Sequence, residues 1–320
     1  MQHTRRTSAV TLILTCSAFC RFALAERPTK LTRNEALRLL QGEVVNMAGP
    51  HRWIAPTPKA ITDTTAWDTG VTPGNNEVAI FDGTGQGDCL GGSLAAIDLD
   101  ALQVDDAYEG DIGADGNPII ISADVVTYQG RGTMVYQDGN GTTDLMIVDS
   151  VNLQDAVKIS GATITRMRVL SGRVDFLSTW SGTMTLLELA PRNFNGVTVD
   201  FGADTTGEVL RVLMNGGLLK GDIFNGVGSH DAVLTGGTWI ADVTTDGTVV
   251  IDGATVIWNS PTTSAGVAIL WGGNVHLMSG VLDARQGGNK TLSNLYLWEA
   301  GTFLYNDDKM TVTTTHRMEP

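Results

Sequence analysis

One phrase recurs along the second half of this chain. Met214-Asn215-Gly216-Gly217-Leu218 returns as Leu234-Thr235-Gly236-Gly237-Thr238 and as Ile251-Asp252-Gly253-Ala254-Thr255. It returns again as Leu270-Trp271-Gly272-Gly273-Asn274 and as Trp298-Glu299-Ala300-Gly301-Thr302. Each copy joins a short apolar strand to a glycine-bearing corner and a second short strand. With Gly217, Gly237, Gly253, Gly273 and Gly301 as markers, the steps are 20, 16, 20 and 28 residues. A unit of that size cannot bury its own apolar face and must stack on its neighbours. The repeat therefore predicts an all-β chain, a right-handed parallel β-solenoid (β-helix), with a less regular β-rich part before it and a short N-terminal helix.

Composition points the same way. Glycine supplies 38 of 320 residues and proline only 9, so the glycine serves corners rather than a disordered Pro/Gly chain. Val, Ile, Leu and Thr dominate between the glycines and suit pleated strands. Strands are expected at Leu94–Val104, Ile119–Tyr128, Gly132–Tyr136, Leu145–Val148, Ile164–Leu170, Val174–Leu177, Met184–Leu189, Val197–Phe201, Val209–Met214, Thr302–Tyr305 and Met310–Thr315. Elements this short, without helical crossovers, do not build a doubly wound sheet. Leu213, Leu234, Val250, Ile269 and Leu297 precede corresponding corners and are expected to form one apolar ladder.

The domain organisation follows from these patterns. Residues 1–25 read as a signal or leader, 26–52 as a helical segment or linker, 53–150 as an irregular β-rich part and 151–320 as a regular solenoid. Arg5 and Arg6 precede an apolar stretch, and Ala23-Leu24-Ala25 offers a small-x-small cleavage site, as in a secretory signal. Its removal would shift the formal charge from −14 to −17, because it takes three arginines and no acid. A second reading starts the working protein at Met47. Thr32 and Glu35 form a capping box for a helix over 32–46, with Leu37, Leu40 and Val44 on one face.

The charge of −14 argues against nucleic-acid binding, since no basic cluster lies beside an aromatic platform. The mature chain is not expected to insert into a membrane. After loss of the leader Cys89 is the one remaining cysteine, which excludes an internal disulfide.

The segment Trp67-Asp68, Pro73-Gly74-Asn75-Asn76-Glu77-Val78-Ala79-Ile80-Phe81-Asp82-Gly83 carries a resemblance. It is similar to the front of Gly-rich β-solenoid proteins, where a Trp-containing turn is followed by Pro-Gly-(Asp/Asn) and a strand ending in Phe-Asp-Gly. Such proteins include autotransporter-like passengers and phage virion-associated fibre, spike and decoration proteins. The likeness covers roughly residues 50–130, and Ala66-Trp67-Asp68 stands where Asn-Trp-Ser is usual. It implies a surface-exposed structural role and carries no catalytic residues.

Candidate sites are few. Asp138, Asn140, Thr142 and Asp144 place oxygen side chains at alternate positions of a turn, a spacing that can wrap Ca²⁺, although the sixth-position Gly and distal Glu of an EF-hand are missing. A polar hairpin tip has the same composition. Asp82-Gly83-Thr84-Gly85-Gln86-Gly87-Asp88 resembles an anion nest but lacks the strand–loop–helix context of a phosphate site. The acids Asp98, Asp100, Asp105, Asp106, Asp111, Asp115, Asp307 and Asp308 could serve glycoside chemistry, yet no basic residue is paired with them in sequence. No His spacing indicates zinc and no nucleophile elbow occurs. Cys89 lacks a His partner. Trp239, Trp258, Trp271 and Trp298 either stack inside the coils or, if outward, offer platforms for sugar rings.

The reading is a non-enzymatic structural or surface-binding solenoid of a phage virion, found in the virion or outside the cell. Two alternatives stay open: a secreted adhesin-like surface protein of bacterial origin, and a polysaccharide lyase or hydrolase. A host-surface glycan is the expected ligand. The last strand, Met310–Thr315, has almost no chain beyond it to cover its edge, so a homo-oligomer is expected, by analogy a trimer.

Overall fold

The computed structural model describes residues 50–320, except 140, 155, 193–195, 203–206, 222–229, 242–246, 260–268, 299–301, 307–309 and 319–320. The chain divides into units Met1–Val45 and Asn46–Pro320, and the described residues all belong to the second. The leader, the expected helix over 32–46, the Met47 start, Asn140, Gly301 and Asp307-Asp308 lie outside the described residues.

The described chain is all-β and forms a parallel β-solenoid. Its strands are β1 Pro50–Arg52, β2 Val78–Phe81, β3 Gly92–Val104, β4 Ile119–Tyr128, β5 Met134–Gln137, β6 Thr143–Asp149, β7 Val157–Gly161, β8 Ile164–Phe176 and β9 Thr183–Leu189. They continue as β10 Val197–Phe201, β11 Glu208–Val209, β12 Arg211–Lys220, β13 Asp231–Ala241, β14 Thr248–Trp258, β15 Ile269–Asp283, β16 Lys290–Trp298, β17 Thr302–Tyr305 and β18 Met310–Met318. A single 3₁₀ turn, Thr64–Ala66, is capped by Asp63, whose side chain accepts from the Thr65 amide.

Several strands turn a corner without ending. The first part of β8 pairs with β6 and β9, while its second part pairs with β7 and β10. The two strands expected at Ile164–Leu170 and Val174–Leu177 are thus one, bent at Gly172 with φ +98°. The same corner recurs at Gly217, Gly237, Gly253 and Gly280, all at φ between +84° and +97°. Only glycine enters that region without strain. Gly280 therefore occupies the place that the repeat assigned to Gly273. The register Trp271↔Leu292 and Asn274↔Asn294 puts Gly272-Gly273 on a different corner, where β15 enters the first face. The coil that follows β14 carries extra residues before that corner, which shifts the phase of the repeat.

The corners separate two long faces. The A face stacks β2, β6, β9 and the parts of β3, β4, β8, β12, β13, β14, β15, β16 and β18 that pair with them. The B face runs through β5, β7, the second part of β8, β10 and the following half-strands to β17. Side chains alternate in and out along each strand.

On the A face, register links Phe81, Val104, Tyr128, Val148, Val169 and Leu189 into one interior column. The column continues through Met214, Leu234, Ile251, Leu277 and Leu297. Every member before Leu297 is at most 1% exposed. The stacking is continuous from the irregular part into the regular one, so one core serves both.

The expected ladder of Leu213, Leu234, Val250, Ile269 and Leu297 is corrected here. Leu234 and Leu297 are interior, but Leu213 and Val250 belong to the neighbouring outward column. A one-residue shift against the corner exchanges the two sides of a strand. Ile269 pairs with Lys290 on a third side of the coil.

The motif around Trp67 builds the N-terminal end of the core. Trp53, Trp67 and Phe81 meet with ring centroids 5.3–5.7 Å apart, and Tyr108 lies edge-on to Phe81 at 5.2 Å. The buried indoles are satisfied, Trp53 Nε1 donating to Gly87 O at 2.9 Å and Trp67 Nε1 to Ile61 O at 3.0 Å. Gly83 follows Phe81-Asp82 at φ +83°, and a Cβ there would lie 2.7 Å from Ala107 O. The Phe-Asp-Gly pattern is thus a packing requirement. Large aromatic side chains fill the core of these first described coils.

Candidate binding surfaces

The outward column of the A face reads Gln103, Thr127, Ile147, Arg168, Glu188, then Leu213, Val233, Val250, His276, Tyr296 and His316. Its character changes at Leu213. Above that point Glu188 is bound by Arg166 at 2.9 Å and approached by Arg168 at 4.0 Å. From Leu213 onward the column is apolar and then aromatic, and each side chain is half-buried. His276, Tyr296 and His316 stack with centroids 4.3 and 4.5 Å apart and planes within 11° of parallel. Desolvation holds the His276 imidazole below its ordinary range, which favours the neutral ring. Because the rings cover one another, Tyr296 offers its edge and hydroxyl to the outside rather than a face for a sugar.

Outward on the same strands runs a second column, Asn274, Asn294 and Thr314, continuing from Arg211, Asp231 and Thr248. Both columns advance by 20 residues per coil over the last coils. That spacing is present in the sequence as His276–Tyr296–His316, a coil period that metal-ligand spacing of histidines does not reveal.

The B face carries a different outward column: Lys158, Asp175, Asp200 and Lys220. Arg173 Nε donates to both Asp175 oxygens at 2.7 and 3.0 Å, and its Nη2 reaches Asp200 at 3.1 Å. Lys220 stands 3.7 Å from Asp200. Carboxylates so engaged with guanidinium act as acceptors, not as proton donors. The bonds from Arg173 and Lys220 tie three successive coils, and the stripe is not arranged as an acid–base pair.

Of the acids weighed for glycoside chemistry, Asp115 finds a base: Lys158 Nζ bonds it at 3.1 Å across 43 residues. For Asp115 the expectation of no basic partner is corrected by coil stacking, which joins residues far apart in the chain. In the glycine-rich segment Arg52 pairs with Asp82. Burial pushes the Asp105 carboxyl above the ordinary range, against the Gln103 amide that hydrogen-bonds it at 2.6 Å. Asp111 Oδ1 accepts from the Thr133 amide at 2.7 Å. Of the glycine-rich segment 82–88, Asp82 accepts from the Thr84 amide and Asp88 from the Asp111 amide, and Trp53 and Tyr108 both donate to Gly87 O. All but the local Asp82–Thr84 bond join coils. Cys89 is buried, and desolvation pushes its thiol up to about 12, so it is not a nucleophile at neutral pH.

Trp239 and Trp258 are fully buried and offer no sugar platform; Trp298 is half-buried, and the Trp271 side chain lies outside the described residues. Asp138 is nine-tenths buried. Its Oδ1 accepts from Ser122 Oγ at 2.7 Å and from the Gly141 amide at 3.0 Å, while Oδ2 is buried without a hydrogen-bond partner. Thr142 is exposed, and Asp144 is half-buried on β6. Among the described residues no three His, Cys, Asp or Glu side chains gather for a metal.

In the B-face interior column, Leu219, Trp239, Val256 and Leu282 are fully buried, but Leu304, next in register, is 38% exposed. On the A face Thr315 takes the interior position below Leu295 and is exposed.

No protein-family model, curated protein or solved structure matches this chain. What defines it is the architecture, an all-β parallel solenoid.

Proposed function

We propose that this chain is a structural, surface-binding element of a phage virion: a fibre, spike or decoration protein. The observation that carries this reading is the unbroken interior column from Phe81 to Leu297. At about 4.8 Å per strand it runs for roughly 50 Å. A close-packed core of that length, laced outside by ion pairs between coils, is a stiff spacer that presents its loops and faces to another surface. The front motif around Trp67 and Phe81-Asp82-Gly83 adds the likeness to phage virion-associated solenoids. The chain acts as a homo-oligomer, most simply a trimer, and meets a host-surface glycan through its loops.

Mass spectrometry of purified virions, with culture supernatant and cell envelopes in parallel, tests this reading. Peptides of this chain in stoichiometric amount in the virion fraction are expected. Their confinement to the envelope or supernatant contradicts it and favours the adhesin-like alternative.

For the Asp138 turn we propose Ca²⁺ held by Asp138, Asn140, Thr142 and Asp144, with the unpartnered Asp138 Oδ2 as the anchoring ligand. A chelator is expected to lower the melting temperature of the wild type, and the Asp138→Ala/Asp144→Ala variant is expected to lose that sensitivity. An unchanged melt of the wild type in chelator removes the site.

A further inference from the structure

We propose that the lower half of the A face, along Leu213, Val233, Val250, His276, Tyr296 and His316, is the surface on which copies of this chain pack side by side in parallel. The proposal rests on the homo-oligomer reading above and gives it a place. Six residues in register at about 4.8 Å per step make a stripe about 24 Å long, parallel to the solenoid axis. A small ligand needs a pit, whereas a straight ridge of half-buried apolar groups on a flat sheet face needs another elongated surface.

Three observations select a second copy as that surface. The first is charge. The chain carries −14, so copies repel one another over most of their area. The outward positions Asn274, His276, Asn294, Tyr296, Thr314 and His316 hold no carboxylate. The stripe itself carries no carboxylate, and over its last three coils the adjoining column Asn274, Asn294 and Thr314 carries none either; desolvation keeps the His276 imidazole toward its neutral form.

The second is self-complementarity. Asn274 and Asn294 each present an amide that donates and accepts, so each can pair with its own symmetry mate. The third is polarity along the axis. The stripe is aliphatic from Leu213 to Val250 and aromatic from His276 to His316. Like meets like only if the neighbouring copy runs the same way, in the same register. Arg168 and Glu188 end the lane at its upper limit. At its lower limit it reaches β18, the last described strand.

Sedimentation of the full chain at micromolar concentration, compared with Val233→Glu/Val250→Glu and with a chain ending at Asp308, tests the proposal. Both glutamates point outward, so each chain should still fold cooperatively, with a melt lowered by the lost association and the stacked charges. The expected result is an oligomeric wild type and a monomeric, cooperatively folded double variant. An oligomeric double variant beside a monomeric truncation overturns the lane and leaves an oligomer held by the last strand. A monomeric wild type overturns both.

Cysteine cross-linking covers the case in which the glutamates disturb folding. In a Cys16→Ser/Cys20→Ser background, Leu213→Cys chains should cross-link to one another, as should His276→Cys chains. Mixing the two should give no mixed dimer. A mixed dimer means antiparallel packing and refutes the proposal. Cys89 is too buried to interfere.

Discussion

Aspartate at Leu234 abolishes cooperative folding of the solenoid, while aspartate one coil earlier at Leu213 leaves it folded. The two leucines are both apolar, both in strands and both close to a glycine corner. They differ only in which side of the strand they occupy. Leu234 is fully buried in the interior column between Met214 and Ile251. A carboxylate there has no partner and no water, and the cost exceeds about 4 kcal/mol, the range in which single substitutions unfold domains. Leu213 lies outward beside Glu188 and Val233, where within a single chain a carboxylate stays hydrated and costs about 1 kcal/mol or less, so that the cost of the change lies in association rather than in folding. Circular dichroism melts of the two variants read the difference. Equal melts contradict the register, and a Leu213→Asp protein that still melts cooperatively while Leu234→Asp does not supports it.

Alanine at Gly280 has the next largest effect. This residue sits at φ +97°, and a Cβ would come within 2.3 Å of Ala254 O on the coil above. The backbone penalty alone is about 1–2 kcal/mol, and the clash adds to it because the opposing atom is backbone and cannot swing away. The melting temperature should fall by several degrees or more. Gly116, also at positive φ but with nothing within 4 Å of its Cβ position, provides the control. Its alanine variant keeps the backbone penalty and lacks the clash, so it should lose distinctly less stability. If both variants lose the same amount, inter-coil contact is not what fixes the corner.

Strand positions were readable because β-branched alternation is local. Ile119–Tyr128, Val197–Phe201 and Thr302–Tyr305 fall where the pattern put them. The corner at Gly172 was harder, because a solenoid bends its strands without breaking the ladder, and a glycine in mid-strand reads as a stop. Facing was harder still. Leu213 and Leu234 precede their glycine pairs by different offsets, and the core-facing offset is that of Met214, Leu234 and Ile251, two residues before Gly216, Gly236 and Gly253. The ion pairs were beyond local reading. Asp115 meets Lys158 and Asp175 shares Arg173 with Asp200 only because coils of unequal length stack in register. The aromatic column could have been found from the 20-residue spacing of His276, Tyr296 and His316.

The central claim is that residues far apart in the chain advance along one axis by a single strand spacing per coil. Spin labels on the B face test it most directly, in chains lacking Cys16 and Cys20 and diluted with unlabelled protein. Register places Ile257 five coils and Tyr305 seven coils from Lys158 in the same outward column. The predicted distances from a label at residue 158 are about 24 Å to residue 257 and about 34 Å to residue 305, before the label arms are added. The difference of about 10 Å, two strand spacings, is insensitive to those arms. Two equal distances, or a shorter one to residue 305, would contradict the stacked-coil architecture.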